Sequence, residues 1–253
     1  MNTQLVTIIT GGGRGIGKSV ALRMARETAI LLVGRTQASL ESACKEIEAA
    51  GGVADFVAGD VSDPEVAQKA VDKAKEKAWT VRNLVCNAGI GKGGPATTFD
   101  KQTWRHLFDV NVHGAFWFIQ ACLPAMVEKE CGAIAIISST AGVRGFKYDA
   151  AYCATKHALV GLARSLALEY AKHGIVVVPI CPSFVESDMT KQTITGLAKH
   201  RGLSEDDARA LIARTSPQKR IIPAEEVADA VALVLSGKLP ALNGNPLILS
   251  GGE

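Results

Sequence analysis

No C-x-x-C pair and no H-E-x-x-H occur in this chain, and its five histidines and six cysteines lie scattered. Neither a zinc site nor a disulfide framework has the spacing it needs, so no metal is expected. Cys44, Cys86, Cys122, Cys131, Cys153 and Cys181 read instead as small buried apolar side chains. No apolar run approaches the ~20 residues that span a bilayer, which excludes a membrane-spanning segment of the usual kind. No basic run exceeds two residues and the net charge is only +3, too little to draw nucleic acid. No internal repeat, low-complexity tract or Pro/Ser-rich linker interrupts the 253 residues, so one domain covering 1–253 is expected. The first ten residues already carry a strand pattern, which leaves no room for a secretory leader. The expectation is a soluble cytoplasmic protein that binds neither nucleic acid nor membrane.

What the chain does have is alternation. Short apolar, β-branched runs at 5–10, 30–34, 53–58, 84–87, 133–138, 175–180 and 246–249 read as strands, and most are separated by stretches with a period near 3.6. Near-continuous apolar strands between helices mean a largely parallel sheet covered on both faces, here seven-stranded and doubly wound. In such an α/β fold, ligands bind beyond the carboxyl ends of the strands, so residues at those ends share one crevice.

The first strand runs into Thr-Gly-Gly-Gly-Arg-Gly-Ile-Gly-Lys-Ser, residues 10–19, which satisfies two phosphate-binding patterns. From Gly12 it reads G-x-x-x-x-G-K-S, ending in Lys18 and Ser19; from Thr10 it reads T-G-x-x-x-G-x-G, with glycines 11, 15 and 17. Both patterns bring backbone N–H groups close to a phosphate at a helix N-terminus. An NTPase would also need a strand-end aspartate for magnesium, and Asp60 is the only near candidate.

Four further strand ends carry polar residues: Asp60 and Val61; Asn87, Ala88 and Gly89; Ser138 and Ser139; Pro182 and Ser183. Asp60 and Asn87 singly are ordinary turn residues, but together on one rim they fit a ligand site. A helix beginning near Asp149 puts Tyr152 and Lys156 four residues apart on one face. An ammonium within ~4–6 Å stabilises a phenolate by roughly 1–3 units, making Tyr152 a proton donor, with Ser139 bonding the same substrate oxygen. One helix earlier, a stripe from Trp104 through Phe118 to Ala125 holds a single amide, Asn111. A buried amide without partners costs about 1–3 kcal/mol, so Asn111 needs a bound water or the backbone near Lys156, unless it bonds its own turn and kinks the helix.

In this order and register, these motifs resemble the short-chain dehydrogenase/reductase family in its single-domain form of about 250 residues, over nearly the whole chain. The resemblance implies a Rossmann-like fold and hydride transfer between a nicotinamide and a carbonyl carbon. Tyr152 would exchange the proton, Ser139 orient the oxygen, Lys156 lower the tyrosine pKa and bind the ribose, and Asn111 hold a water. The cofactor would lie along Gly11, Gly13, Arg14, Gly15, Ile16 and Gly17, Arg35, Asp60, Val61, Asn87, Ala88 and Gly89, then Tyr152 and Lys156, with Pro182, Ser183 and Val185 beside the nicotinamide. A homotetramer is also implied, with the long helices near 100–126 and 150–172 at an interface.

The chain departs from the family pattern in three places. Ser183 follows Pro182 where glycine is usual, which puts that loop's geometry in question; Val178 and Cys86 stand where asparagines are common. After the second strand comes Arg35, with no acid before Glu41, which favours NADP(H) over NAD(H) and makes Arg14 a second cation for a 2'-phosphate. A segment from 183 to 222, with a helix over 204–213, looks like the family's substrate lid. Its seven Lys and Arg against five acids suit a thioester-linked substrate. The resemblance is strongest to 3-oxoacyl-thioester and polyketide ketoreductases. An NAD(H)-dependent 3-hydroxybutyrate, 3-hydroxyacyl or other secondary-alcohol dehydrogenase is the alternative, and a P-loop NTPase a distant one.

Overall fold

The structure, a computed structural model, describes residues 4–253. Strands and helices alternate as β1 (Gln4–Thr10), α1 (Gly15–Met24), β2 (Ala29–Gly34), α2 (Gln37–Ala49), β3 (Ala54–Ala58), α3 (Pro64–Glu76) and β4 (Trp79–Cys86). The second half runs α4 (Lys101–Phe108), α5 (Gly114–Glu128), β5 (Gly132–Ile137), α6 (Ala150–Tyr170), β6 (Ile175–Pro182), α7 (Asp188–Arg201), α8 (Glu205–Ala213), α9 (Ala224–Leu235) and β7 (Leu247–Leu249). The seven strands form one sheet in the order β3-β2-β1-β4-β5-β6-β7, and every pairing is parallel. This is a doubly wound, Rossmann-like α/β fold.

Successive strand residues point to opposite faces, and both faces are buried. Val6 and Ile8 of β1 join the layer with α3, α5 and α6, whereas Ile9 joins the layer with α1, α2 and α9. The strand order reverses between β1 and β4, so the loops leaving their carboxyl ends diverge and open a crevice. Everything catalytic in the sequence reading lies on that edge.

Two elements differ from the sequence reading. β4 starts at Trp79, five residues before the apolar run at 84, because its first half alternates buried Trp79 and Val81 with half-buried Thr80 and Arg82. The 183–222 segment has a second helix, α7, capped by Ser187, whose hydroxyl accepts from Thr190 N. Residues 101–128 form one continuous helical stretch long and apolar enough to cross a bilayer by composition. Leu107, Phe118, Ile119, Cys122 and Met126 are buried in it, as in a core helix.

Candidate active site

The glycine loop is built around contact between its own ends. Gly11 and Gly15 sit at φ +64° and +52°, the left-handed region that side chains disfavour. A Cβ on Gly17 would lie 2.3 Å from Gly11 O and 2.6 Å from Asn87 Nδ2. Asn87 braces the turn, donating from Nδ2 to Thr10 O (2.9 Å) and Gly11 O (3.1 Å), while Thr10 Oγ1 accepts from the N–H groups of Asn87 and Ala88. At the start of α1 no side chain caps the helix and no acid stands in the first turn. Its N–H groups therefore face the crevice as a site for phosphate. Gly17→Ala is expected to cost about 1–3 kcal/mol by overpacking and to weaken dinucleotide binding; an unchanged melting temperature would contradict the close approach of Gly11 and Gly17.

Lys18 and Ser19 turn away from this cradle. Lys18 Nζ pairs with Glu46 of α2 at 3.0 Å, and Ser19 Oγ bonds Glu225 of α9 at 3.4 Å. The G-x-x-x-x-G-K-S match thus places neither of its two chemical residues on the crevice.

The crevice has a volume of about 870 Å³, within the range of ligand sites, and Gly13, Arg14, Arg35, Phe146, Asp149 and Met189 are among the residues that line it. Except for Asn111 and Gly17, which support it from behind, every residue that the sequence reading assigned to the site lines it. Asp60 is pushed up by burial, but hydrogen bonds from Ser62 N and Oγ outweigh this and hold its carboxyl below the ordinary value. Arg35 lies 4.0 Å from Asp60 with an exposed guanidinium, and Arg14 pairs with Asp188 of α7 at 3.0 Å. Arg35 directly follows the end of β2, where no acid stands, and both cations line the crevice.

Ser139 leaves β5 in extended conformation with its Oγ accepting from Ala141 N (3.1 Å), and it lines the crevice beside Tyr152. Ser138 Oγ donates to Lys156 O (2.9 Å), fixing α6 against the end of β5. Lys156 Nζ donates to Ile137 O (2.9 Å) and lies 5.6 Å from the Tyr152 ring centre.

The electrostatics correct one expectation. Burial pushes Tyr152 up to about 12, Ser139 opposes this through its hydrogen bond, and the Asp149 carboxylate reinforces it. Burial also takes Lys156 down to about 8. Desolvation of the phenolate sets the direction for Tyr152, and Lys156, whose ammonium is bonded to a backbone carbonyl, is not among the groups that lower it. Tyr152 is held as the neutral phenol, the form a proton donor needs.

Asn111 is buried in a π-helical turn, Asp109–His113, that joins α4 to α5. Its Oδ1 accepts from Ile90 N (2.8 Å), and its Nδ2 donates to Ile90 O (2.9 Å) and Thr155 Oγ1 (3.1 Å). Its backbone partner is thus Ile90, which follows the Asn87-Ala88-Gly89 turn, and this backbone lies near Lys156: a Cβ on Gly89 would be 3.3 Å from Asn111 Oδ1 and 3.6 Å from Lys156 Nζ. A π turn re-aims one side chain out of a helical stripe, and nothing in the spacing announces it.

Ser183 needs no left-handed backbone, so the replacement of glycine is accommodated. Its N–H donates to Leu249 O (2.9 Å) and its Oγ to Glu253 (2.6 Å), whose carboxylate also pairs with Arg144. Arg144 lies over the ring of Phe146, a wall of the crevice. Neither Glu253 nor Arg144 belongs to a motif, and only the fold brings them together. Cys86 and Val178 are core residues. The positive charge of the 183–222 segment is partly neutralised, because Arg209 pairs with Glu186 and Arg220 with Glu226.

A family model described as short chain dehydrogenase matches residues 5–198. The chain is 30% identical to the 3-oxoacyl-(acyl-carrier-protein) reductase FabG of Escherichia coli strain K12, over 98% of this chain and 96% of that one. It superposes on an actinorhodin polyketide ketoreductase with NADPH at a TM-score of 0.94, with 30% identity over 98% and 96% of the two chains. A xylitol dehydrogenase with NAD+ bound superposes at 0.91, with 26% identity over the full length of both.

Proposed function

Because the chain belongs to the short-chain dehydrogenase family, whose members are nicotinamide-dependent oxidoreductases acting on CH–OH or C=O groups, we propose that it is an NADPH-dependent carbonyl reductase with a 3-oxoacyl thioester as substrate. The observation that carries this reading is the convergence of Ser139, Tyr152 and, one helical turn on, Lys156 in the same crevice as the glycine cradle. The cradle fits a dinucleotide, since the start of α1 behind it has no side-chain cap and no acid in its first turn, and Gly11, Gly13 and Gly15 line it without side chains. Nicotinamide supplies the hydride when bound.

Tyr152 Oη gives its proton to the carbonyl oxygen as the alcohol forms, and Ser139 Oγ holds that oxygen in line. Lys156, positive below about 8, places a cation behind the phenol. Asn111 fixes Ile90 and Thr155, and through them the floor of the site. Arg35 and Arg14 supply the charge for a 2'-phosphate. The thioester reading draws support from the acyl-carrier-protein reductase and polyketide ketoreductase relatives. We place the enzyme in the cytoplasm as a single-domain homotetramer, with residues 183–222 as its substrate lid; six free cysteines suit a reducing compartment.

A panel of acetoacetyl thioesters, simple ketones and sugars assayed with NADPH and NADH tests the proposal. Turnover of thioesters with NADPH is expected, and turnover of sugars alone, or with NADH alone, would contradict it. Because Lys156 loses its proton as pH rises through about 8, kcat/KM for reduction is expected to fall on the alkaline side of that value. A profile that stays flat there would show that the Lys156 charge is not used.

A further inference from the structure

Asp149 stands out among the crevice residues because its carboxylate has no work in the fold. It occupies the cap position of α6 yet caps no N–H, and it has no hydrogen-bond or ion-pair partner among the described residues. It is half-buried, on the crevice wall, three residues before Tyr152. Residues three apart at a helix start share a side, about 5–6 Å between Cβ atoms.

The segment opposite gives a second measure of this proximity. A Cβ on Gly91 would lie 3.7 Å from Tyr152 Cε2, and one on Gly93 would lie 2.7 Å from Asp149 Oδ1. Two residues of chain span at most ~7 Å, so the carboxylate and the phenol ring flank one short stretch of glycine-rich backbone. Lys92, between those glycines, is exposed and forms no ion pair with Asp149 among the described residues. Water screens Lys92 more than it screens the half-buried acid.

We propose that Asp149 is a specificity-determining residue that rejects free 3-oxo acids and admits their neutral thioesters and esters. The inference rests on the reading that the ketone binds at Tyr152. A ketone oxygen bonded there puts C1 of a 3-oxoacyl chain two bonds from the reacting carbon, and a chain running along the Gly91–Gly93 backbone brings C1 toward Asp149. In acetoacetate that position carries a full negative charge. In a thioester it carries none. Like charges at this separation in a partly desolvated site differ by about tenfold or more in binding.

The test compares kcat/KM for acetoacetate and ethyl acetoacetate with NADPH, in the wild-type protein and in Asp149→Asn and Asp149→Leu variants, with NADPH fluorescence titration to confirm that each variant is folded. The wild-type protein is expected to prefer the ester by about tenfold or more, and both variants to shrink that preference severalfold through a gain on acetoacetate. Equal use of both compounds by the wild-type protein overturns the inference, as does a preference that survives in a variant that binds NADPH. Absence of turnover with these two and with acetoacetyl-N-acetylcysteamine, despite NADPH binding, overturns the reductase reading itself and is distinguishable in the same assay.

Discussion

Tyr152→Phe is expected to lower turnover of a carbonyl substrate by about 10²–10⁴-fold while leaving NADPH binding within a few-fold of the wild-type value. The change removes one oxygen and keeps the ring. Lys156 still donates to Ile137 O, and Ser138 still anchors α6 to β5. Only the proton on its way to the substrate oxygen is missing. Burial holds Tyr152 near 12, so the wild-type phenol stays protonated through the neutral range, yet it is far more acidic than the alcohol being made. Steady-state assays beside a fluorescence titration of NADPH separate the two effects. Loss of binding in proportion to loss of turnover would mean that Tyr152 is structural, and unchanged turnover would remove it from the chemistry.

Arg35→Glu is expected to weaken NADPH binding by roughly 10- to 100-fold, as charge-assisted bonds to a phosphate warrant, and to improve NADH relative to NADPH. Arg35 follows the last residue of β2, where an acid would accept ribose hydroxyls in an NAD site. Its guanidinium is exposed and lies 4.0 Å from Asp60, so no strong bond holds it away from an incoming phosphate. Arg14 is less free, paired at 3.0 Å with Asp188 across the mouth of the crevice. Arg14→Ala is therefore expected to act more weakly on the cofactor preference than Arg35→Glu. Dissociation constants for both cofactors check this, and a preference for NADPH that survives Arg35→Glu would assign the selection elsewhere.

Residues that work through local pattern were readable in the chain, and residues that work through long-range contact were not. The strands announced themselves because a parallel sheet buried on both faces needs unbroken apolar runs, as at Ala133–Ile137. β4 was cut short where its pattern changes to alternation, and α7 went unread because only Thr190, Ile194 and Ala198 of its fourteen residues are buried. Ser139, Tyr152 and Lys156 were legible because helical spacing and strand-end position are sequence properties. The partners of Asn111 depend on a π turn, and the link of Ser183 to Glu253 and Arg144 closes contacts across seventy and more than one hundred residues. No period encodes those. The direction of the Tyr152 shift was not legible for a related reason: spacing put an ammonium near a phenol, while the burial that raises the phenol is set by the folded crevice.

Hydride transfer at this crevice is tested most directly with NADPH deuterated at both C4 positions and acetoacetyl-N-acetylcysteamine as substrate. Mass spectrometry of the product is expected to find one deuterium on the carbon that carried the ketone, from the wild-type protein and only in trace from Tyr152→Phe. A reduced product without deuterium, or no product while NADPH binds, would contradict the account.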